Sequence, residues 1–296
     1  MNLPTIRQLR YFVALTETEH FGRAAERCFV SQSAFSNAIK EFETGLDAQL
    51  VDRTNRTVTI TATGQQVAVQ ARLVLRDLDS LVETARGQKE PLTGELRLGV
   101  IPTIAPFILP GALPKLRKQY PELRLLLVED QTQRIYARLM EGDLDVLLMA
   151  LPWEMQGVEE LPLFCDAFCL ACHQNTRHVD PENYRFSRLD SDSILLLEDG
   201  HCLREHALAA CKIRNTQKVS RFGASSLLTL IEMVDADLGV TFLPEMARGS
   251  SLLRNTRVTL YPMGEKSYRT IGLVWRKGSR RVDEFRLLGE FFRRRH

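Results

Sequence analysis

Apolar positions from Thr5 to Thr18 fall at Ile6, Leu9, Phe12, Val13 and Leu15, the rhythm of a helix with one buried face. Gly22 to Cys28 reads as a second, shorter helix, with Ala24 and Ala25 small enough for close packing. A turn is expected at Phe29-Val30. Ser31 then stands where an N-cap belongs, ahead of a third helix over Gln32–Leu46. The apolar stripe of that helix is Phe35, Ala38, Ile39, Phe42 and Leu46, while Gln32, Ser33, Ser36, Asn37 and Lys40 lie off it. "LVDRTNRTVTI" next alternates around a polar Thr54-Asn55 tip, as a short hairpin does.

From Gly64 the period changes. Val67, Ala71, Val74, Leu78, Leu81 and Ala85 recur at intervals of 4, 3, 4, 3 and 4, an a/d seam. A stripe this narrow asks for a partner helix, which a second copy would supply; packing on the chain's own N-terminal domain is the other choice. "GQKEPLTG" reads as a boundary. "ELRLGVIP" (Glu95–Pro102) then reads as a buried strand, followed by a helix around Ile108–Tyr120, strand "LRLLLVED", a helix at Thr132–Glu141 and strand "LDVLLMAL". That order predicts a parallel sheet with helices on its faces. A second run follows: "DSILLLED", a helix from about Leu203 to Cys211, "VSRFGA", a helix at Ser226–Ala236 and "LGVTFLP". The chain returns with "RTIGLVWR" and an amphipathic helix at Val282–Arg293. Two α/β lobes with a late return strand predict a ligand-binding domain whose cleft lies where strand ends and helix N-termini converge.

At 296 residues the chain exceeds one core. No apolar run approaches the roughly 18 residues of a membrane span, so no membrane partner is expected. Arg7, Arg10, Glu17 and Glu19 interrupt any signal-peptide layout, and a cytoplasmic protein is expected. Net charge is only +2, and residues 1–60 carry seven Lys/Arg against seven Asp/Glu. Any nucleic-acid reading must therefore rest on placement. Short helix, tight turn and longer helix with a polar leading edge is the helix-turn-helix layout, whose second helix enters the major groove. Gln32 and Asn37 would pair with adenine, Ser33 and Ser36 would donate to bases or phosphates, and Lys40, Arg53 and Arg56 would serve the backbone. An ordinary three-helix bundle with a solvated face fits the same pattern, so the pattern leaves both open.

"FGRAAERCFVSQSAFSNAIKEFETGL" followed by "LVDRTNRTVTITATG" resembles the LysR-type transcriptional regulators. The resemblance covers essentially the whole chain. It departs from the family pattern at Ser33, Phe35, Phe42, Asp47 and Val51. It implies an α/β protein in three parts: a winged helix-turn-helix over 1–60, a dimerising linker helix over 61–92, and a two-lobed, periplasmic-binding-protein-like effector domain over 93–296. Lobe I would hold about 93–163 and 268–296, and lobe II about 164–267. Within the family, "GVIPTIAPFILP", "EDGHCLREHALAAC" and "RTIGLVWRKGS" resemble the OxyR hydrogen-peroxide sensors. This implies that Cys202 is the peroxidatic thiol and Cys211 the resolving thiol. Thr103, Thr132, His201 and Arg269 would line the peroxide pocket, with Ser225 beside them. The partners implied are promoter DNA, RNA polymerase, further copies of the chain as a dimer or tetramer, hydrogen peroxide as effector and a cellular thiol reductant. Neither an enzyme nor a cofactor is implied. A regulator answering to a small metabolite, with Thr103 and Ser225-Ser226 as cleft donors, is the alternative. A thiol peroxidase is a third, against which the DNA-binding parts argue.

The chemistry of the residues points the same way. Peroxide attack needs a thiolate. Cys202 follows Asp199-Gly200-His201 at the expected start of a helix, where the dipole lowers a thiol pKa, and a nearby Arg269 would act likewise. The sulfenic acid formed would condense with a second thiol. Nine residues of helix put Cys202 and Cys211 roughly 13 Å apart, against the roughly 4.4–6.8 Å that a disulfide needs, so the helix would have to unwind. From the residues alone, two small buried hydrophobes remain the competing account. "FCDAFCLACH" contains Cys169-x-x-Cys172-His173, the haem c pattern, with Cys165 close by. The stretch alternates like a strand, so Cys169 and Cys172 face opposite ways, and no second Cys/His pair is spaced for zinc. No metal is expected. Cys28 is expected in the helical core, and the basic "FFRRRH" end as a solvated helix terminus.

Overall fold

The computed structural model describes residues 3–53, 58–85, 91–181, 183–184, 189, 192–210, 219–264 and 267–294. Cys211, Arg56 and the Thr54-Asn55 tip lie outside them, as do the side chains of Arg53 and Ala85. The chain divides into two units, Met1–Glu90 with Met140–Asp143, and Pro91–Leu139 with Leu144–His296.

In the first unit α1 (Ile6–Thr18), α2 (Phe21–Arg27) and α3 (Gln32–Leu46) enclose a core of Phe12, Leu15, Ala24, Ala25, Phe35, Ile39 and Phe42. Each start has a physical cap. Thr5 forms a reciprocal capping box with Gln8, His20 accepts from Arg23 N, and Ser31 accepts from Ala34 N. Antiparallel β1 (Val51–Arg53) and β2 (Val58–Ile60) form the wing. Glu43 pins it by accepting the Leu50 and Val51 N–H groups at 2.9 and 3.0 Å. The linker helix α4 (Ala62–Ala85) splits its seam. Ala71 is buried and Val67 packs against the same core. Val74 and Leu81 are exposed. Of the two choices that the stripe leaves open, the first turns of α4 take the chain's own domain. They already pack on the domain that precedes them.

The second unit is built on β3 (Gly94–Val100), α5 (Ala105–Gln119), β4 (Leu123–Glu129), α6 (Thr132–Met140) and β5 (Val146–Leu151), with β3 parallel to both β4 and β5. α5 begins before the expected Ile108, because Pro106 fits its first turn, where no N–H is needed. The sheet is not purely parallel. β6 (Val158–His173) runs 16 residues and serves both lobes. Its first half pairs antiparallel with β11 (Tyr268–Arg276), which is itself antiparallel to β5. Its second half pairs with β9 (Thr241–Pro244) and β10 (Val258–Pro262). Lobe II adds the parallel pair β7 (Ile194–Leu197) and β8 (Val219–Ala224), with α7 (Cys202–Ala210) and α8 (Leu227–Asp235). α9 (Val282–Arg293) closes lobe I with Phe285, Leu288, Phe291 and Phe292. α7 is shared between the lobes. Cys202 packs in the apolar core of lobe I, while Leu203 and Ala207 pack in that of lobe II. No helix among the described residues is long and apolar enough to cross a membrane.

Candidate functional site

Cys202 is the first residue of α7 and is 1% exposed. Facing it are Thr132 at the start of α6, the Ala150 backbone at the end of β5, and Arg269 on β11. Burial pushes the Cys202 thiol up, against the opposing pulls of Thr132, Arg269 and Ala150. Burial is the largest influence on the resting thiol, ahead of the guanidinium. The groups around the sulfur nevertheless stabilise negative charge on it once that charge forms. Thr132 Oγ1 is itself closed off from solvent, set against the Cys202 sulfur.

Arg269 is fully buried. Its Nε donates to Asp166 Oδ2 at 3.0 Å, its Nη1 to Thr103 Oγ1 at 3.0 Å and its Nη2 to the Thr103 carbonyl at 2.8 Å. Asp166 also accepts the Met246 N–H at 3.2 Å, and the Met246 Sδ lies 3.6 Å from Arg269 Nη2. Met246 sits in the 3-10 turn Glu245–Ala247. His201 is buried, 3.4 Å from Gln131 Nε2, and burial holds its pKa below the ordinary histidine value. Ser225 is exposed, and its backbone meets the His201 ring. Ser226 Oγ is committed to capping α8. The structure brings Thr103, Thr132, His201, Cys202 and Arg269 together, with Ser225 at their edge. Asp166 and Met246 were not anticipated. A lone Asp inside the apolar "LFCDAFCLAC" strand and a lone Arg heading "RTIGLVWR" were a readable sign of a paired charge.

The other thiols have separate surroundings. Cys169 Sγ donates to Glu245 Oε2 at 2.7 Å, and burial with that carboxylate pushes its pKa up to about 12. Burial and Asp237 push Cys172 up to about 11. Cys165 is exposed, and Cys28 is the half-buried C-cap of α2. Among the described residues no group of three or more His, Cys, Asp and Glu is placed to hold a metal ion.

In the first unit Gln32, Ser33, Asn37 and Lys40 are exposed on α3 and Ser36 is half-buried, a polar face opposite the buried stripe.

A capped second helix with this face, a β wing and a two-lobed α/β domain define a DNA-binding regulator. Residues 6–65 match the family model "Bacterial regulatory helix-turn-helix protein, lysR family", and residues 89–296 match "LysR substrate binding domain". The chain belongs to the LysR family of transcription regulators, which are not enzymes. It is 41% identical to the HTH-type transcriptional regulator EstR of Acinetobacter baylyi, covering 99% of this chain and 97% of that protein. It is 39% identical to the DNA-binding transcriptional dual regulator OxyR of Escherichia coli, covering 98% of this chain and 95% of that protein. Full-length OxyR C199D from Pseudomonas aeruginosa superposes with a TM-score of 0.83 at 31% identity, covering 99% of this chain and 96% of that one.

Proposed function

We propose that this regulator senses hydrogen peroxide through Cys202 and a reversible Cys202–Cys211 disulfide, and passes the change to promoter DNA and RNA polymerase as a dimer or tetramer. The observation that carries the reading is the setting of Cys202: one sulfur, shut from solvent, among Thr132, Arg269 and the Ala150 backbone. The Cys202 thiolate attacks one peroxide oxygen, the O–O bond breaks, and the second oxygen leaves as water after taking a proton. Sulfur is oxidised to the sulfenic acid. Cys211 attacks that sulfur, a second water leaves, and the disulfide forms. A cellular dithiol restores both thiols. α7 is helical from Cys202 to Ala210, about 12 Å, so pairing requires it to unwind. That rearrangement is the switch. The parts proposed are DNA binding over 1–60, linker over 61–92 and effector over 93–296.

One observation favours a second reading, a LysR regulator whose cleft takes a small metabolite: the relative at 41% identity is named a transcriptional regulator with no mention of peroxide. Peptide mapping by mass spectrometry, after near-stoichiometric peroxide and blocking of free thiols, tests the first reading. A fast Cys202–Cys211 linkage is expected, and Cys202→Ser should abolish it. Both thiols staying free, or oxidation at Cys165, Cys169 or Cys172 instead, would sink the switch and leave the metabolite reading.

A further inference from the structure

α7 is held by two cores at once, and its hold on lobe I is the one that a switch must break. Leu203 and Ala207 anchor it in lobe II, and Cys202 inserts into lobe I. His206 is four residues beyond Cys202, one helical turn on the same face. Both meet the chain at the end of β5: Cys202 at the Ala150 backbone, His206 at the Pro152 carbonyl, with Nε2 2.9 Å from the oxygen. A carbonyl only accepts, so Nε2 carries the proton and Nδ1 of the neutral ring is bare. That Nδ1 is closed off from solvent and has no hydrogen-bond partner among the described residues.

We infer that His206 is a positioning residue that latches α7, and with it Cys202, shut against lobe I, and that protonation of its ring opens the latch. A proton on Nδ1 would place a donor and a positive charge where no acceptor waits among the described residues. Among the described residues, the charged groups facing the ring are Arg269, from β11, which opposes the added charge, and Glu205, from α7 itself, which favours it. β5 and its continuation offer the Pro152 carbonyl, already engaged, whose hydrogen bond favours the charged ring but is outweighed by burial. Burial is the largest influence and holds the His206 pKa below the ordinary histidine value of 6.5. The sign follows. The undocked ring binds a proton more readily than the docked one, so docking is fully stable above the ordinary histidine range and weakens as pH falls through it.

The inference rests on the peroxide reading only for its purpose. Its test needs neither peroxide nor Cys211. In the reduced full-length protein, Cys202 is buried, so the rate at which N-ethylmaleimide labels it, resolved by peptide mass spectrometry, reports opening of α7. Each rate is divided by that of exposed Cys165 in the same sample, which cancels the dependence of thiol chemistry on pH. His206→Gln keeps a donor for the Pro152 carbonyl but cannot be protonated. His206→Ala removes the latch. The expected wild-type ratio rises between about pH 7.5 and about pH 5.5. The His206→Gln ratio stays flat, and the His206→Ala ratio is raised at both ends by about 2- to 10-fold, the worth of one hydrogen bond. A flat wild-type profile overturns the inference even where a variant fails to fold, and so does a His206→Gln profile that rises as steeply as the wild type. A latch that behaves as expected without any Cys202–Cys211 linkage under peroxide would keep the inference and remove the sensor. The reverse pattern would remove the latch alone.

Discussion

Asp166 and Arg269 face one another across β6 and β11, and neither reaches solvent. An arginine does not give up its proton in a protein interior, so its counter-charge has to be permanent. Asp166 provides it, and its other oxygen takes the Met246 N–H. The carboxylate therefore sets both the charge beside Cys202 and the position of the 3-10 turn. Asp166→Asn keeps the shape and removes the charge. We expect it to cost about 3–5 kcal/mol in urea-induced unfolding, the usual penalty for stranding one member of a buried pair. A loss below about 1 kcal/mol would mean that Arg269 finds its compensation elsewhere. The sequence marks Arg269 and Asp166 each as a charge in an apolar strand but does not pair them, because the two are 103 residues apart and meet only through strand register. Nor could it give the resting state of Cys202. Helix start and nearby arginine are legible in a string of letters, whereas the depth of burial set against them is a property of two lobes closing on one helix.

At the scale of elements the local signals were sufficient wherever one helix answers to one core. α3 starts and ends at the residues its cap and stripe predict, and α9 spans the expected Val282–Arg293. They failed where an element serves two cores. β6 carries one lobe's apolar pattern into the other's, so its length was invisible, and short β10 has too little alternation to announce itself. α3 also yields a prediction that separates the two ends of the molecule. Ser31 Oγ accepts Ala34 N at 3.3 Å and lies 3.2 Å from Ser33 Oγ, so it orders the turn that presents Gln32 and Ser33. Ser31→Ala should cost about 1 kcal/mol in thermal unfolding and weaken DNA binding in a gel-shift titration. Labelling of Cys202 should be unchanged. If DNA binding stays at the wild-type level while the first unit is measurably destabilised, the start of α3 is not the reading edge.

For the whole molecule, the question is what covers the second half of α4. Val74, Leu81 and Val82 are 45%, 58% and 44% exposed, on a helix whose first turns are already packed. Leaving such a strip in water forfeits the burial that its spacing invites. A second α4 is the simplest cover, since Val74, Leu78 and Leu81 keep the 4-3 rhythm of a two-stranded seam. A two-fold pair would also match two helix-turn-helix units to two half-sites. Leu81→Glu tests this. In a two-fold interface the substitution sets two carboxylates near one another in an apolar seam, a repulsion that no side-chain shift on one copy relieves. Analytical ultracentrifugation should show a shift from dimer or tetramer toward monomer or a smaller assembly. DNA affinity should fall, and the dependence of binding on salt should flatten toward that of one half-site, because fewer phosphates are neutralised per binding event. Leu127, 39% exposed on the edge strand β4, is the control. If Leu81→Glu leaves the assembly and its salt dependence intact while Leu127→Glu breaks it, the chain associates through its effector domain and the α4 seam has another use.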